Sequence, residues 1–421
     1  MPADPGDWRA WIAYGLSWAG LGWDASSPDV PDATCGPVPA YPVGPDRLAV
    51  LAEVEQERVV EIATSSAPWG HWATSNWETS DWGISGWGAP TAAARRLELH
   101  AYTEAAPGAR WQGLFAATWP AYRSWYLSEG AAARPDLDEA AAALARHMPE
   151  LVPTWERLVE LTDLGDGVDE TAARLLTMWR VPVFAAGCSQ VVLDGPDPAL
   201  IRNYDYDPQL FEGVIASTNY SGARRVIGTS DLLWGLLDGM NDAGLCLSLT
   251  YGGRPGGADG FAIPLALRYV LETCTDVDSA VATLRRLPVA QAYNLAILDA
   301  SGAHATVFVA PGEPLRVSDL RATTNHRLET VEHPATARSL RSVPRQQHLL
   351  EALEQGTPRA EILDSFTRSP LRSVDYDAGF GTLYTAQYRP QAGEVTYRWP
   401  DATWTRAFDD ADERRVVSLP A

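Results

Sequence analysis

Val183-Phe184-Ala185-Ala186-Gly187-Cys188-Ser189-Gln190-Val191-Val192-Leu193 is the stretch from which the rest of the chain is read. A thiol stands at the head of an apolar run rich in valine, with the smallest residue directly before it. The run predicts a strand over Cys188–Leu193. Asp194-Gly195-Pro196-Asp197-Pro198 predicts a turn, and Ala199–Asp205 a second strand carrying Arg202 and Asp205. A thiol attacks a carbonyl only when a neighbouring cation or base favours its thiolate, and these residue types supply both.

Cutting the Gly187–Cys188 bond would give Cys188 a free α-amine. With a reference pKa of about 7.7–8.0, that amine is able to take the thiol proton directly or through water. Arg202 would stabilise thiolate, and Asp205 would hold the amine. Gly187 suits the uncut chain, because a residue without Cβ lets the thiol approach the preceding carbonyl in a strained backbone geometry. The plainer reading is a buried structural cysteine at a strand start, the common state of a free cysteine.

Outward from this stretch, the chain after Pro182 has a strand texture. Gly213–Asn219, Arg225–Thr229 and Leu245–Thr250 are short β-prone runs, the last preceded by the turn Asn241-Asp242-Ala243-Gly244. Pro264–Thr273, Asp278–Leu287 and Ser342–Glu354 predict helices. Asn294–Asp299 with Ala303–Val309, and Thr382–Tyr388 with Glu394–Trp399, predict hairpins. Residues 96–180 read as mostly helical, with Pro149 and Pro153 breaking one helix from the next. Residues 1–95 are irregular apart from a helix near Asp46–Ile62. They include Trp69, Trp72, Trp77, Trp82 and Trp87, whose spacing suits neither helix nor strand and predicts an ordered loop, either a lid or an aromatic wall of a pocket. Antiparallel pairs with helices between them make an α+β protein: one large domain behind a Trp-rich extension. The expected segments are 1–95, the extension; 96–187, a helical segment; and 188–421, a catalytic segment that starts at the nucleophile.

Bulk properties exclude several functions. A formal net charge of −21 opposes nucleic-acid binding. All 33 basic residues are arginines, so there is no lysine for a Schiff base or a phosphate loop. No apolar run reaches the roughly 18 residues of a membrane span. No signal peptide is visible, and Cys35, Cys188, Cys246 and Cys274 form no CxxC pair. A reduced, cytoplasmic setting without a metal or other cofactor is the expectation. Cys246 and Cys274 read as core residues, and the acidic runs Asp163–Glu170 and Asp409–Glu413 as solvated surface. Gly252-Gly253-Arg254-Pro255-Gly256-Gly257 reads as a pocket loop, not a phosphate cradle. The seven histidines are scattered; a Cys188–His326 dyad is the alternative way to activate the thiol.

Several short runs, in order, resemble the acyl-coenzyme A:6-aminopenicillanic-acid acyltransferase family. They are Gly187-Cys188-Ser189, Arg202-Asn203-Tyr204-Asp205, and Asp238-Gly239-Met240-Asn241-Asp242-Ala243-Gly244-Leu245. Further along come Gly260-Phe261-Ala262-Ile263-Pro264 with Arg268, the hairpin Asn294–Asp299, Thr324-Asn325-His326, Ser342-Val343-Pro344-Arg345 and Thr382-Leu383-Tyr384-Thr385. The resemblance spans roughly Ala131 to Trp399. That family belongs to the N-terminal nucleophile hydrolases, related to the choloylglycine hydrolases. The resemblance implies a four-layer αββα sandwich, two antiparallel sheets between helical layers.

It also implies roles. Cys188 would be the nucleophile, freed by autoproteolysis after Gly187. Asp205 would bind its α-amine, and Arg202 would lie by the thiol. Asn325 would help form the oxyanion hole, and Arg345 would support the site from a buried position. Many relatives have Asn where this chain has Thr250, so the second oxyanion donor would be a backbone N–H near Thr250 or Tyr251, residues that would also meet substrate. The expected activity is cleavage of a linear amide C–N bond in a small molecule through an acyl-enzyme, with the two processed chains staying associated. Acyl transfer from a thioester or amide to an amine is one alternative, and a non-catalytic binding protein with the same fold is another.

Overall fold

The computed structural model describes residues 95–327, 331–377 and 379–420. The helix expected near Asp46–Ile62 and the five tryptophans from Trp69 to Trp87 lie outside them. Sixteen strands are described. They are β1 (Arg95–Glu104), β2 (Gly187–Leu193), β3 (Ala199–Tyr206), β4 (Val214–Thr218), β5 (Val226–Asp231), β6 (Gly235–Asn241), β7 (Cys246–Tyr251) and β8 (Tyr293–Leu298). Then follow β9 (His304–Val309), β10 (Arg316–Ser318), β11 (Ala322–Thr323), β12 (Val374–Asp375), β13 (Phe380–Arg389), β14 (Glu394–Arg398), β15 (Thr403–Ala407) and β16 (Glu413–Leu419).

They form two sheets. One runs β10-β9-β8-β7-β6-β5-β4-β1-β16, the other β11-β2-β3-β13-β14-β15 with β12 on β13. Strands β2 and β3 face β7 and β8, so the sheets pack against each other. Helices α1 (Ala109–Tyr126), α2 (Leu137–His147), α3 (Val152–Glu160) and α4 (Glu170–Leu176) precede the first strand of the smaller sheet. Helices α5 (Ile263–Thr273) and α6 (Val277–Leu284) cover the outer face of the larger sheet, α5 on β5, β6 and β7 and α6 on β8 and β9. After α7 (Pro334–Ser339), helix α8 (Ser342–Glu354) lies on β2 and β11, and α9 (Arg359–Ser365) completes that layer. Helix, sheet, sheet, helix is the four-layer αββα order expected.

Local chemistry explains the elements that hold the site. β2 is buried along its whole length, on both faces, as a strand between two cores must be. Val191 and Ile201 pack outward with Leu349, Ile362 and Phe366 of the covering helices. Helix α5 starts with Pro264 in its first turn and is buried nearly all round. The ion pair Arg268–Glu272, at 2.7 Å, is intrahelical at i,i+4. Asp276 caps α6 in a reciprocal capping box with Ser279.

Residues 96–180 are mostly helical, as expected, but they open with a strand that was not expected. β1 is a strand, and it joins the larger sheet between β4 and β16. In Arg95-Arg96-Leu97-Glu98-Leu99-His100-Ala101 the buried positions alternate strictly, which is the strand period. β1 also pairs with β4 in parallel, the exception to the antiparallel rule. β6 was not expected. Its Leu236, Leu237 and Met240 are buried, but Asp238, Gly239 and Asn241 interrupt any apolar run. The acidic runs are not all solvated surface. Asp169 caps α4 through Ala172 N at 3.0 Å, and Glu413 accepts from Trp404 Nε1 and Arg406 Nη1. No helix among the described residues is long and apolar enough to cross a membrane.

Candidate active site

Strand pairing decides which side chains meet the thiol. Cys188 stands opposite Tyr204, Gln190 opposite Arg202, and Gly187 opposite Asp205. Side chains alternate along a strand, so Cys188, Gln190, Arg202 and Tyr204 share the face toward the larger sheet. Gln190 on that face bonds Ser248 and the Asn294 carbonyl. Ser189, Asn203 and Asp205 face the helices α8 and α9.

The thiol is sealed, with 0 % exposure. Arg202 Nη2 donates to Cys188 Sγ at 3.2 Å. Arg202 is held from the other side: Nη1 donates to Leu237 O and to Asp238 Oδ2, both at 2.7 Å. Its guanidinium also lies over the Tyr204 ring, 5.1 Å from the centroid. Asp238 accepts further from Thr229 Oγ1 at 2.9 Å, Tyr384 OH at 2.6 Å and Tyr388 OH. Burial pushes the Cys188 thiol up; the Arg202 charge and hydrogen bond pull it back, and Asp205 pushes it up again.

A second group of residues grips the backbone at the same point. Arg345, from the first turns of α8, donates through Nη1 to Cys188 O at 2.9 Å, Ser189 Oγ at 3.0 Å and Asp205 Oδ2 at 3.1 Å. Its Nη2 donates to Asn325 Oδ1 at 2.8 Å. Asn325 Oδ1 also accepts from Cys188 N at 2.9 Å. Asn325 Nδ2 donates to Ala186 O at 3.1 Å and Tyr251 O at 3.0 Å, so both amide hydrogens are engaged. Asp205 Oδ1 accepts from Thr382 Oγ1 at 2.6 Å. Burial pushes Asp205 up, and Arg345 first among its neighbours pulls it down. All five residues expected at the site, Cys188, Arg202, Asp205, Asn325 and Arg345, are therefore brought together around one peptide.

Thr250 and Tyr251 are also adjacent, in different ways. The Thr250 hydroxyl donates to Thr324 O at 2.8 Å. Tyr251 is buried, and its carbonyl takes the Asn325 amide. Two glycines are required by close approach. A Cβ on Gly187 would meet the Phe380 ring, and a Cβ on Gly253 would sit 2.3 Å from the Asn325 carbonyl oxygen, at a φ of +74°. Gly253→Ala should therefore displace Asn325. The left-handed backbone alone costs about 1–2 kcal/mol for a residue with a Cβ. Urea unfolding would show the loss; an unchanged midpoint would mean that the loop yields.

The alternative dyad is not formed. His326 Nδ1 lies 2.7 Å from Ser342 Oγ, on the α8 side, and burial lowers its pKa. Cys246 and Cys274 are buried free thiols. Among the described residues no group of three His, Cys, Asp or Glu is placed to hold a metal ion. Sequence reasoning missed Asp238, Tyr384 and Tyr388 as the support of Arg202, and Ser189 as a partner of Arg345. Asp238 and Tyr384 stand in runs already singled out, but only the packing of the two sheets shows that they converge on Arg202.

The profile of the acyl-coenzyme A:6-aminopenicillanic acid acyl-transferase family matches residues 193–404, half of the chain. The match starts after Cys188 and includes Arg202, Asp205, Asn325 and Arg345. Among solved structures, a variant of conjugated bile acid hydrolase from Clostridium perfringens is similar at 15 % identity, over 55 % of this chain and 97 % of that one, with a TM-score of 0.38. An N-acylethanolamine-hydrolyzing acid amidase ortholog from Caenorhabditis elegans gives 13 %, 52 %, 100 % and 0.37 in the same order. Penicillin V acylase from Agrobacterium tumefaciens gives 15 %, 52 %, 84 % and 0.34. Scores this low carry no argument about chemistry. No curated protein matches the sequence.

Proposed function

Since the chain belongs to the acyl-coenzyme A:6-aminopenicillanic acid acyl-transferase family, an enzyme family of acyl transfer, we propose that it cuts itself before Cys188 and then cleaves a linear amide in a small molecule through an acyl-enzyme on that thiol. The observation that carries this reading is the double hold on one residue. Arg202 is on the thiol, while Asn325 and Arg345 are on the nitrogen and carbonyl of the same Cys188.

The first stage uses the uncut chain. Cys188 Sγ attacks the Gly187 carbonyl carbon; the C–S bond forms, the C–N bond breaks, and the thiol proton passes to the leaving nitrogen. Water then hydrolyses the thioester, leaving a Gly187 carboxylate and a free thiol. Release of Ala186 from Asn325 frees an amide hydrogen for use as an oxyanion donor, and one such donor is worth about 10²–10³ in rate. In the second stage the new α-amine takes the thiol proton and the thiolate attacks the substrate carbonyl carbon; the C–S bond forms, the C–N bond breaks, and the α-ammonium returns the proton to the leaving amine. Water then hydrolyses the thioester, releasing the acid and the free thiol. Asp205 would hold the α-amine, a role supported by its position opposite Gly187 in the ladder. β1 lies inside the larger sheet, which supports the two products remaining together. Added hydroxylamine separates hydrolysis from transfer: a hydroxamate formed at the expense of acid identifies an amine-accepting acyl-enzyme.

Thiol reactivity tests the reading directly. In the uncut chain Cys188 is sealed and its pKa is raised, so alkylation should be slow and should quicken only as pH rises beyond the ordinary thiol range. After the cut the label should enter faster and at lower pH. Equal rates in both forms would count against activation by processing. Mapping the labelled peptide to a cysteine other than Cys188 would sink the assignment.

A further inference from the structure

The chain that leads to the proposed cut runs without helix or strand from Val181 to Ala186. Side chains hold its main chain. Asn325 Nδ2 donates to Ala186 O at 3.1 Å. Farther from the cut, Gln291 takes both polar groups of one residue. Its Nε2 donates to Phe184 O at 3.0 Å, and its Oε1 accepts from Phe184 N at 3.3 Å. A carboxamide presents a donor and an acceptor side by side, so it matches the N–H and C=O of an amide chain and has no match in a hydrocarbon.

Gln291 is 3 % exposed, and its backbone is fixed on both sides. Ala258 N donates to Ala290 O at 2.9 Å, and Gly252 N donates to Ala292 O at 2.8 Å. The two neighbours of Gln291 are thus pinned to the two ends of the glycine-rich loop. That loop lies against the segment before the cut, since a Cβ on Gly257 would sit 2.7 Å from Val183 Cγ2. The half-buried Phe184 ring meets Trp125 of α1 at 6.3 Å and Tyr293 of β8 at 6.5 Å. Tyr293 stands opposite Tyr251 in the β7–β8 ladder, and the Tyr251 carbonyl takes the Asn325 amide.

The chemistry of the cut gives this place a direction. In the thioester formed by self-cutting, the acyl group on Cys188 Sγ is the chain that ends at Gly187. Phe184 is then part of an acyl group, three residues from the reacting carbonyl, a reach of at most about 11 Å. When that chain leaves, the Gln291 side chain loses its two hydrogen bonds to Phe184. A buried carboxamide without partners favours a ligand that restores them.

We propose that the place held by Phe184 in the uncut chain is the acyl subsite for the external substrate, and that the molecule cleaved at Cys188 has an acyl half carrying a secondary amide and an aromatic ring about 10 Å from the reacting carbonyl. This rests on the acyl-enzyme reading above and names the substrate class for it. Gln291 determines specificity: it reads the amide of the acyl half and touches no reacting atom. Trp125 and Tyr293 receive the ring, two aromatic faces beside a few placed polar groups. Until the cut the chain fills its own subsite, so the substrate binds only after processing.

The test is calorimetric titration with the peptide acetyl-Val-Phe-Ala-Ala-Gly, the sequence of Val183–Gly187. Wild-type protein, shown by intact mass to be cut, should bind it. Uncut Cys188→Ala should bind it at least about tenfold more weakly, because its own chain fills the place. A peptide with N-methylphenylalanine lacks the N–H that Gln291 Oε1 accepts, and it should bind cut protein about tenfold more weakly than the parent peptide. That difference should disappear in Gln291→Leu. No binding to cut protein, equal binding to cut and uncut protein, or equal binding of the two peptides would overturn the proposal. If Gln291→Leu does not fold, the comparison of the two peptides on the wild type decides. Wild-type protein that stays whole would remove the processing step and the subsite with it. Peptide that binds as expected, with no p-nitroaniline released from its p-nitroanilide, would strike the acyl-enzyme reading and leave the subsite standing.

Discussion

Cys188→Ala should yield one intact mass for the whole chain, whereas the wild-type protein should resolve into pieces of 187 and 234 residues (421 − 187). The substitution removes only Sγ. The backbone bonds to Asn325 and Arg345 use Cys188 N and O and persist in alanine. The variant should therefore fold, and its defect should be chemical. Removing the nucleophile of a comparable acyl-transfer site lowers turnover by on the order of 10⁶. Intact mass spectrometry after prolonged incubation reads the first effect, and hydrolysis of a panel of simple amides reads the second. Cleavage that continues in Cys188→Ala, or wild-type protein that stays whole, would remove the basis of the proposed mechanism.

Arg345→Ala should have the largest effect on stability. Arg345 is buried and bonds Cys188 O, Ser189 Oγ, Asp205 Oδ2, Asn325 Oδ1 and Leu340 O. Its loss leaves a carboxylate buried without a countercharge, a change that typically costs about 3–5 kcal/mol. That is a large share of the roughly 5–15 kcal/mol by which a domain is stable. Lysine should not rescue it, because one ammonium cannot reproduce a planar fork that reaches several acceptors at once. The deficit should also depend on pH. Burial already raises Asp205, and without Arg345 it rises further, so the folded variant retains a proton that the unfolded chain loses. Its stability should fall as pH rises through the range between the two pKa values, more steeply than that of the wild type. Urea unfolding at pH 5 and pH 8 measures this. A variant within about 1 kcal/mol of wild type at both pH values would show that Asp205 does not depend on Arg345.

Much of the catalytic half was legible before any coordinates. The runs Cys188–Leu193, Ala199–Asp205 and Leu245–Thr250 are apolar and bounded by turn residues, and each is a strand within a residue or two of the expected ends. Ser342–Glu354 is a helix with the ends expected. The failures have physical causes. β1 alternates correctly but precedes a long helical stretch, and its strand partners are β4 and β16, the latter more than 300 residues away. β6 is buried on both faces, yet carries Asp238 and Asn241 because each has partners in the interior: Arg202 for one, the Leu271 and Cys274 carbonyls for the other. Residue type alone reads such positions as turn.

The sequence by itself determined the thiol after a glycine, the Arg and Asp on the following strand, and the α+β order of elements. Those are short-range properties, written in period, turn residues and ordered motifs. The tertiary structure alone decided that Asp238 pairs with Arg202, that Arg345 reaches 157 residues back to Cys188 O, and that His326 turns to Ser342. It also joined Glu212 and Asp231 through the Tyr122 hydroxyl. Hydrogen bonds and ion pairs in a buried site depend on which faces of distant elements are packed together, and a local pattern encodes the face but not its neighbour. For the same reason the sealed state of the thiol, and the engagement of both amide hydrogens of Asn325 in the uncut chain, appear only once the two sheets have closed on each other.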